Sequence, residues 1–521
     1  MRVLRGAVRV AKTLMAAALL WTHAAGAAEL RIALAADVTS MDPHFLNLAP
    51  NADIAWHVFD ALTHVDENAR LVPGLAESWR AIDGTAWEFR LRRGIRFHDG
   101  GELTAEDVVA SIERSRKLRG GQFRGFTQRI ASIHIVDRYT LRFTTDAPYA
   151  MVPYDLDSLF IVSKKAVDAG TEDFNSGKAM IGTGPFKFVT FARGDRVELA
   201  RNDAYWGGAP PWDKVVFRII PSDPARVAAL LAHDVDVIEQ VPPADLPRIR
   251  RDPSLSVAER ISWRTLFFHL DQHRDRAPSL ADKSGRALDR NPFRDPRVRK
   301  AISLAIDRRA IVERLMQGAA LPASNLVSPP VFGYAADLKP DRYDPAEARK
   351  LLAAAGYPDG FAMTLAAPNN RYVEDDQIAQ AAAQMLAHVG IRARVELYPI
   401  NAYLPKARRG EFAFAMLGWG SFSGDLALRS LVATANPEKG TGAWNWSGYS
   451  NAAVDELLER CFASVDETRR EALAREAMRI SMRNYAVIPL HHQIATWALR
   501  RGLSYAGRTD EYTFAHQIHG R

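Results

Sequence analysis

The chain has 521 residues, 47% hydrophobic and 25% charged, with 68 basic against 61 acidic residues and a formal net charge of +7. That length exceeds what one hydrophobic core serves and points to two large domains. Arg2, Arg5, Arg9 and Lys12 supply four of the seven positive charges and no acid lies before Glu29, so the remainder carries only +3 with both signs interspersed, which argues against nucleic acid or anionic membrane as a partner.

Those four basic residues precede an apolar run at 14–21 and the small residues Ala24-Ala25-Gly26-Ala27-Ala28. This is the pattern of a secretory signal peptide, assigned to residues 1–28, and the apolar run is too short for a spanning helix. No cysteine follows the predicted cleavage point to carry a lipid, so a soluble periplasmic protein is expected. Leu30-Arg31-Ile32-Ala33-Leu34 reads as a strand, and a loop follows through Met41-Asp42-Pro43-His44. Residues 71–114 are the most informative stretch. Within it, 87–92 alternates apolar and charged residues as a half-buried strand, and His98-Asp99-Gly100-Gly101 is a turn. Thr104 with Asp107 forms a capping box for a helix whose apolar side is Val108, Val109 and Ile112.

Further on, 215–220 reads as a strand, Ser222-Asp223-Pro224 opens a helix to about 232, and 235–238 is the next strand, a βαβ unit that implies parallel pairing. The second half repeats this logic. Asp295-Pro296 and Asp344-Pro345 each open a helix, with Gly356 stopping the second. Residues 361–365 are a strand, a helix runs to Val389, 391–397 alternates as a strand, and 412–417 is a buried strand. Two α/β lobes follow from this order. Cys461, the sole cysteine, falls on an apolar helix face with Val454, Leu457 and Leu458 and reads as a core thiol, leaving no intramolecular disulfide.

The string from Leu71 to Arg114 resembles the signature region of the family 5 bacterial solute-binding proteins, the dipeptide, oligopeptide and nickel receptors of ABC importers. Gly182-Thr183-Gly184-Pro185-Phe186, Arg201-Asn202-Asp203-Ala204-Tyr205-Trp206 and residues 293–307 resemble further landmarks of that family. The resemblance implies an α/β, two-lobed periplasmic-binding-protein clamp, type II-like, with an extra subdomain in lobe I. On that pattern the lobe I core is 29–45 plus 181–265 plus 485–521, the extra subdomain is 46–180, and lobe II is 266–484. It also implies a monomer that captures a peptide-like or other small polar solute and delivers it to permease and ATPase subunits, with no cofactor.

Ligands of open α/β sheets sit beyond the carboxyl ends of the strands. Gly418-Trp419-Gly420-Ser421-Phe422-Ser423-Gly424-Asp425 follows one such strand, and Trp419 there is read as cleft-facing in preference to a plug of the core, because the resemblance implies that this loop contacts ligand. Peptide-binding relatives carry an aspartate for the ligand's α-amino group where this chain has Phe422. A phenyl ring cannot pair an ammonium ion, so a simple free-amino dipeptide is a weaker candidate. Asp425 substitutes only if the loop takes another path. Arg371 suits a carboxylate fork contact or lies solvated. Met41, His44 and Phe45 line the cleft or pack locally, and Trp444 lines a pocket or clasps lobe II. His491-His492, neighbours on one strand, point to opposite faces and make a poor metal site, and none is assigned. No nucleophile elbow, zinc helix or phosphate loop is present. The alternatives are a secreted hydrolase or a non-transport sensor or chaperone on the same clamp.

Overall fold

The computed structural model describes residues 28–520, so residues 1–27 of the predicted signal peptide lie outside it. Glu29–Leu34 is a strand with Leu30, Ile32 and Leu34 buried, as its alternation predicts. It pairs in parallel with Lys214–Ile219 on one side and with Val237–Glu239 on the other. The predicted βαβ unit is present, with its helix at Asp223–Leu231. Its two strands are not neighbours, because the first strand of the chain inserts between them. A local pattern specifies the crossover and its hand, not which distant strand fills the gap.

The second α/β unit pairs Ala362–Pro368 in parallel with Arg392–Tyr398, the helix Asp375–Ala387 lying between them in sequence. Ala362–Pro368 also meets Phe414–Gly420 in parallel at Ala366 and Ala415. That last strand runs through Gly418, Trp419 and Gly420, where the sequence predicts a loop. The reason is a partner: Thr265 opposes Trp419 and Arg264 opposes Gly420 in an antiparallel ladder. The two glycines are there for space, since a Cβ on Gly418 would meet the Tyr372 ring at 2.6 Å and one on Gly420 the Trp263 Nε1 at 2.5 Å.

One twelve-stranded sheet runs through both units. Its middle is a pair of long antiparallel strands, Leu255–Leu270 and Ile488–Arg500, whose register shifts at Ile261/Thr265 and Leu266/Phe267. Ala258, Ala495, Trp497 and Leu499 belong to one core with Leu30 and Phe217. Leu266, Phe268, Leu270, Ile488 and Leu490 belong to another with Ile302, Leu365 and Leu386. These two strands therefore carry the chain from one core to the other, and their ladder is broken between the cores.

A separate four-stranded antiparallel sheet holds Ala76–Ala81, Ala86–Leu91, Thr140–Thr145 and Ile130–Asp137 in that order. The helix Ala105–Lys117 packs with it through Val108 and Ile112, both fully buried with Trp87, Phe89 and Phe143. The predicted capping box is formed, Thr104 N–H donating to Asp107 Oδ2 at 3.0 Å.

Candidate functional site: the cleft between the lobes

The carboxyl ends of the parallel strands converge beside the broken ladder. Glu239, Gln240 and Val241, just past one such end, share a cavity of about 10 Å³ with Val373 of the other lobe and with Gln493–Trp497 of the crossing strand. A second cavity, of about 60 Å³, lies between Phe422 and Trp263 on one side and Trp56, His64, Phe123, Asp157 and Phe160 on the other. The C-terminal segment separates the two: Glu511 lines the first, Asp510 and Tyr512 the second. It is tied down where the ladder fails, Trp263 N–H donating to Thr509 O at 2.8 Å. Glu511 accepts from Ser262 Oγ at 2.6 Å, Arg264 Nη2 at 2.6 Å and Gln493 Nε2 at 3.2 Å. Its backbone is held in the left-handed region at φ 70°, a strained setting for a non-glycine residue.

The lobes also touch at the mouth of this space. The Tyr154 and Phe422 rings are parallel within 6° at 5.7 Å, Arg470 stands 4.3 Å from the Tyr154 ring centre, and Ala150 N–H donates to Phe462 O at 2.8 Å. A two-lobed molecule that encloses a small chamber at its crossing strands is built to hold a solute.

Comparison with known proteins agrees. The family model for bacterial extracellular solute-binding proteins, family 5 middle, matches residues 70–432. The chain belongs to this family. It is 30% identical over 442 residues to the dipeptide-binding protein of Escherichia coli strain K12, covering 78% of each chain. Among solved structures, it is similar to the ABC transporter-associated periplasmic binding protein DppA from Helicobacter pylori in complex with the peptide STSA. That match has 27% identity and a TM-score of 0.77 over 94% of this chain and 98% of the other. HbpA2 from Haemophilus parasuis superposes with a TM-score of 0.79 at 25% identity, over 95% of this chain and 100% of that one. The chain is thus the substrate-binding component of an ABC importer, on the two-lobed fold its sequence implies.

Within this solute-binding protein the predicted site residues separate into groups. Phe422 reaches the chamber. Arg371 lines neither cavity; it stands next to Tyr372, its guanidinium 5.7 Å from that ring, while Arg264, already paired with Glu511, lies 6.0 Å from the same ring. Asp425 does not reach the cleft. Its side chain has no exposed surface and pairs with Arg470 Nε at 3.0 Å, and Leu426 N–H and the Ser423 hydroxyl donate to Oδ1. The loop turns it inward against Cys461, whose Sγ is 3.6 Å from Oδ2, so the predicted core thiol is where it was expected and burial pushes it up.

Met41 and His44 are likewise buried. His44 donates from Nε2 to Phe160 O at 2.7 Å and accepts at Nδ1 from Arg114 at 3.1 Å, an assignment that follows from guanidinium being a donor only. Burial, with the Arg114 charge, pulls it down to about 4, so it is neutral and structural. It stands one layer behind the chamber wall, 6.1 Å from Phe123. Phe45 is half-buried, its carbonyl taking the Gln122 N–H at 2.9 Å. Met41 and His44 pack locally.

Trp419 and Trp444 form a row of their own, ring centres 5.3 Å apart, with Trp446 5.6 Å beyond and Arg408 4.9 Å over Trp444. Gly418 and Gly420 meet Tyr372 and Trp263, and alternation along the strand sends Trp419 to the opposite face. Trp419→Ala is expected to cost about 2 kcal/mol of stability, as a partly buried aromatic against the lobe II core, and to leave solute retention within about twofold. Urea unfolding and retention of the solute carried from the periplasm, measured on the same sample, check both halves.

His491 and His492 lie in the crossing strand. His492 Nδ1 meets Thr265 Oγ1 at 2.8 Å, and burial holds the two near 4 and 3. Among the described residues no cluster of three metal-ligating side chains occurs. His57 lies in the last turn of the helix Ala49–Val58, and His64 lies on the strand Thr63–Val65. The sequence reading missed Trp56, His64, Asp157, Trp263 and Tyr512. They come from four distant segments, and nothing in the local sequence joins the four aromatic rings to the Asp157 carboxylate.

Proposed function

We propose that this protein works in the periplasm, taking a small organic solute into the cleft beside the broken ladder, closing its lobes over it and presenting the closed form to a membrane permease and its ATPase as a monomer. The observation that carries this is the chamber itself, whose wall is drawn from both sides of the two crossing strands and whose mouth is shut by contacts between the lobes. Closure of this kind requires that the solute bind the closed form better than the open one. Lobe I and lobe II then divide on the crossing strands between Ala258 and Leu266 and between Leu490 and Ala495, the second point several residues later than 484/485, because Ile488 and Leu490 pack with lobe II. The subdomain at 46–180 supplies most of the chamber's far wall. Arg371 is the side chain we assign to a solute carboxylate, by its fork of donors and its place past the strand Ala362–Pro368.

Native mass spectrometry of protein purified from its own periplasm tests the reading. A single small solute retained intact at near one-to-one occupancy is the expected result. A solute recovered as cleavage products after incubation would show a hydrolase, and a protein that retains nothing from a solute-rich periplasm would refute capture.

A further inference from the structure

The chamber between Phe422 and Asp157 has an unusual wall. Trp56, Phe123, Phe160, Trp263, Phe422 and Tyr512 give it aromatic surface on both lobes. Among these rings stands one carboxylate without a counter-ion. Asp157 is 7% exposed, lines the cavity, and its Oδ1 has no hydrogen-bond partner. The nearest cation is spoken for: Arg508 forks onto Asp510 through Nε at 3.0 and 3.1 Å and gives Nη2 to Val65 O at 2.7 Å. His64 does not help, because burial and then the Arg508 charge hold it neutral, near 3. The other unpartnered polar atoms of the wall, His64 Nδ1 and Trp263 Nε1, carry no charge. A carboxylate without a counter-ion in such surroundings is costly, and burial with the nearby Asp510 pushes Asp157 up to about 8 against the opposing pull of Arg508 and of a hydrogen bond from the Val65 backbone.

Two separate features therefore ask for the same guest. Ring faces are negative and attract a cation placed over them. A buried carboxylate short of hydrogen-bond donors is stabilised as an anion when a cation joins it. We propose that the chamber seats a small ammonium group of the transported solute, with Asp157 as its counter-ion and the rings of Trp56, Trp263 and Phe422 around it. This rests on the reading of the cleft as the solute site. It relocates the cation contact to the lobe I side, facing the phenyl ring that fills the lobe II position.

The space admits a small alkylammonium or methylated ammonium head. The purified protein, freed of carried solute, is titrated at pH 7.5 with butylammonium and with n-butanol, using the fluorescence of the tryptophans that line the chamber. Butylammonium is expected to bind at least tenfold more tightly than butanol. Asp157→Asn, which keeps the shape and removes the charge, should abolish that preference, while Tyr512→Phe, which keeps ring and carboxylate, should retain it. Asp157→Ser gives the same reading should the asparagine form fail to fold. Equal binding of the two probes by the wild-type chain, a preference surviving in Asp157→Asn, or its equal loss in Tyr512→Phe overturns the proposal. The receptor reading is decided separately, by the solute retained from the periplasm, and stands whichever probe wins.

Discussion

Arg470→Ala is expected to destabilise the protein by about 3–5 kcal/mol, the cost of leaving a buried carboxylate without its partner. Asp425 has no exposed side-chain surface and Arg470 only 4%, with 3.0 Å between Nε and Oδ2. Water cannot reach the orphaned charge. The loss has a second source, because the Arg470 guanidinium lies 4.3 Å from the Tyr154 ring centre and 4.4 Å from that of Phe332, and both contacts go with it. Removing both charges should do less harm than removing one, so Arg470→Met combined with Asp425→Asn is expected to regain more than half of the loss. Asparagine there still accepts the Leu426 N–H that Asp425 takes at 2.8 Å at the start of the helix Gly424–Leu431. Urea unfolding of the wild-type chain, the single variant and the double variant measures this. A single-variant loss below about 1 kcal/mol would mean that Asp425 is solvated and free to meet a ligand, the role its position after Trp419 suggested.

The contrast between what the sequence disclosed and what it hid follows from range. Thr104 and Asp107 are three residues apart, so their capping box was legible and is formed as read. The strand at 412–417 was legible too, but its end was not, because Thr265 and Arg264 extend the ladder through Trp419 and Gly420 from far away in the chain. The same distance hides the use of the two glycines, which clear space for Tyr372 and Trp263. Asp425 looked like an exposed loop acid because Arg470, on the helix Glu467–Arg483, carries no local sign of being its partner. The two-lobed class was legible from a long family resemblance. The chamber was not, since Trp56, Asp157, Trp263, Phe422 and Tyr512 meet only once the crossing strands and the C-terminal segment are in place.

Phe422→Ala is expected to weaken solute retention by about 30- to 160-fold while leaving the fold almost as stable as before. The ring is parallel to Tyr154 across the mouth at 5.7 Å and 6.5 Å from Trp263, so much of its burial exists only while the lobes are shut. Burying a phenyl ring is worth about 1.5–3 kcal/mol and an aromatic pair adds about 0.5–1.5. Losing most of that from the closed form alone shifts the open–closed balance by about 2–3 kcal/mol, and apparent affinity falls with the closed fraction when the free protein is mainly open. Phe422→Leu, which keeps apolar bulk without the stack, should fall between. Small-angle scattering should show a larger radius of gyration for Phe422→Ala than for wild type at the same solute concentration, with urea midpoints nearly equal. The reverse outcome, full retention with a large drop in midpoint, would place the ring in lobe II's own core. The peptide-receptor pattern implies a charge-pairing aspartate at this position; here the ring meets Tyr154, and on the closure proposed above its removal should act on every solute the cleft accepts, in proportion to how far each depends on closure.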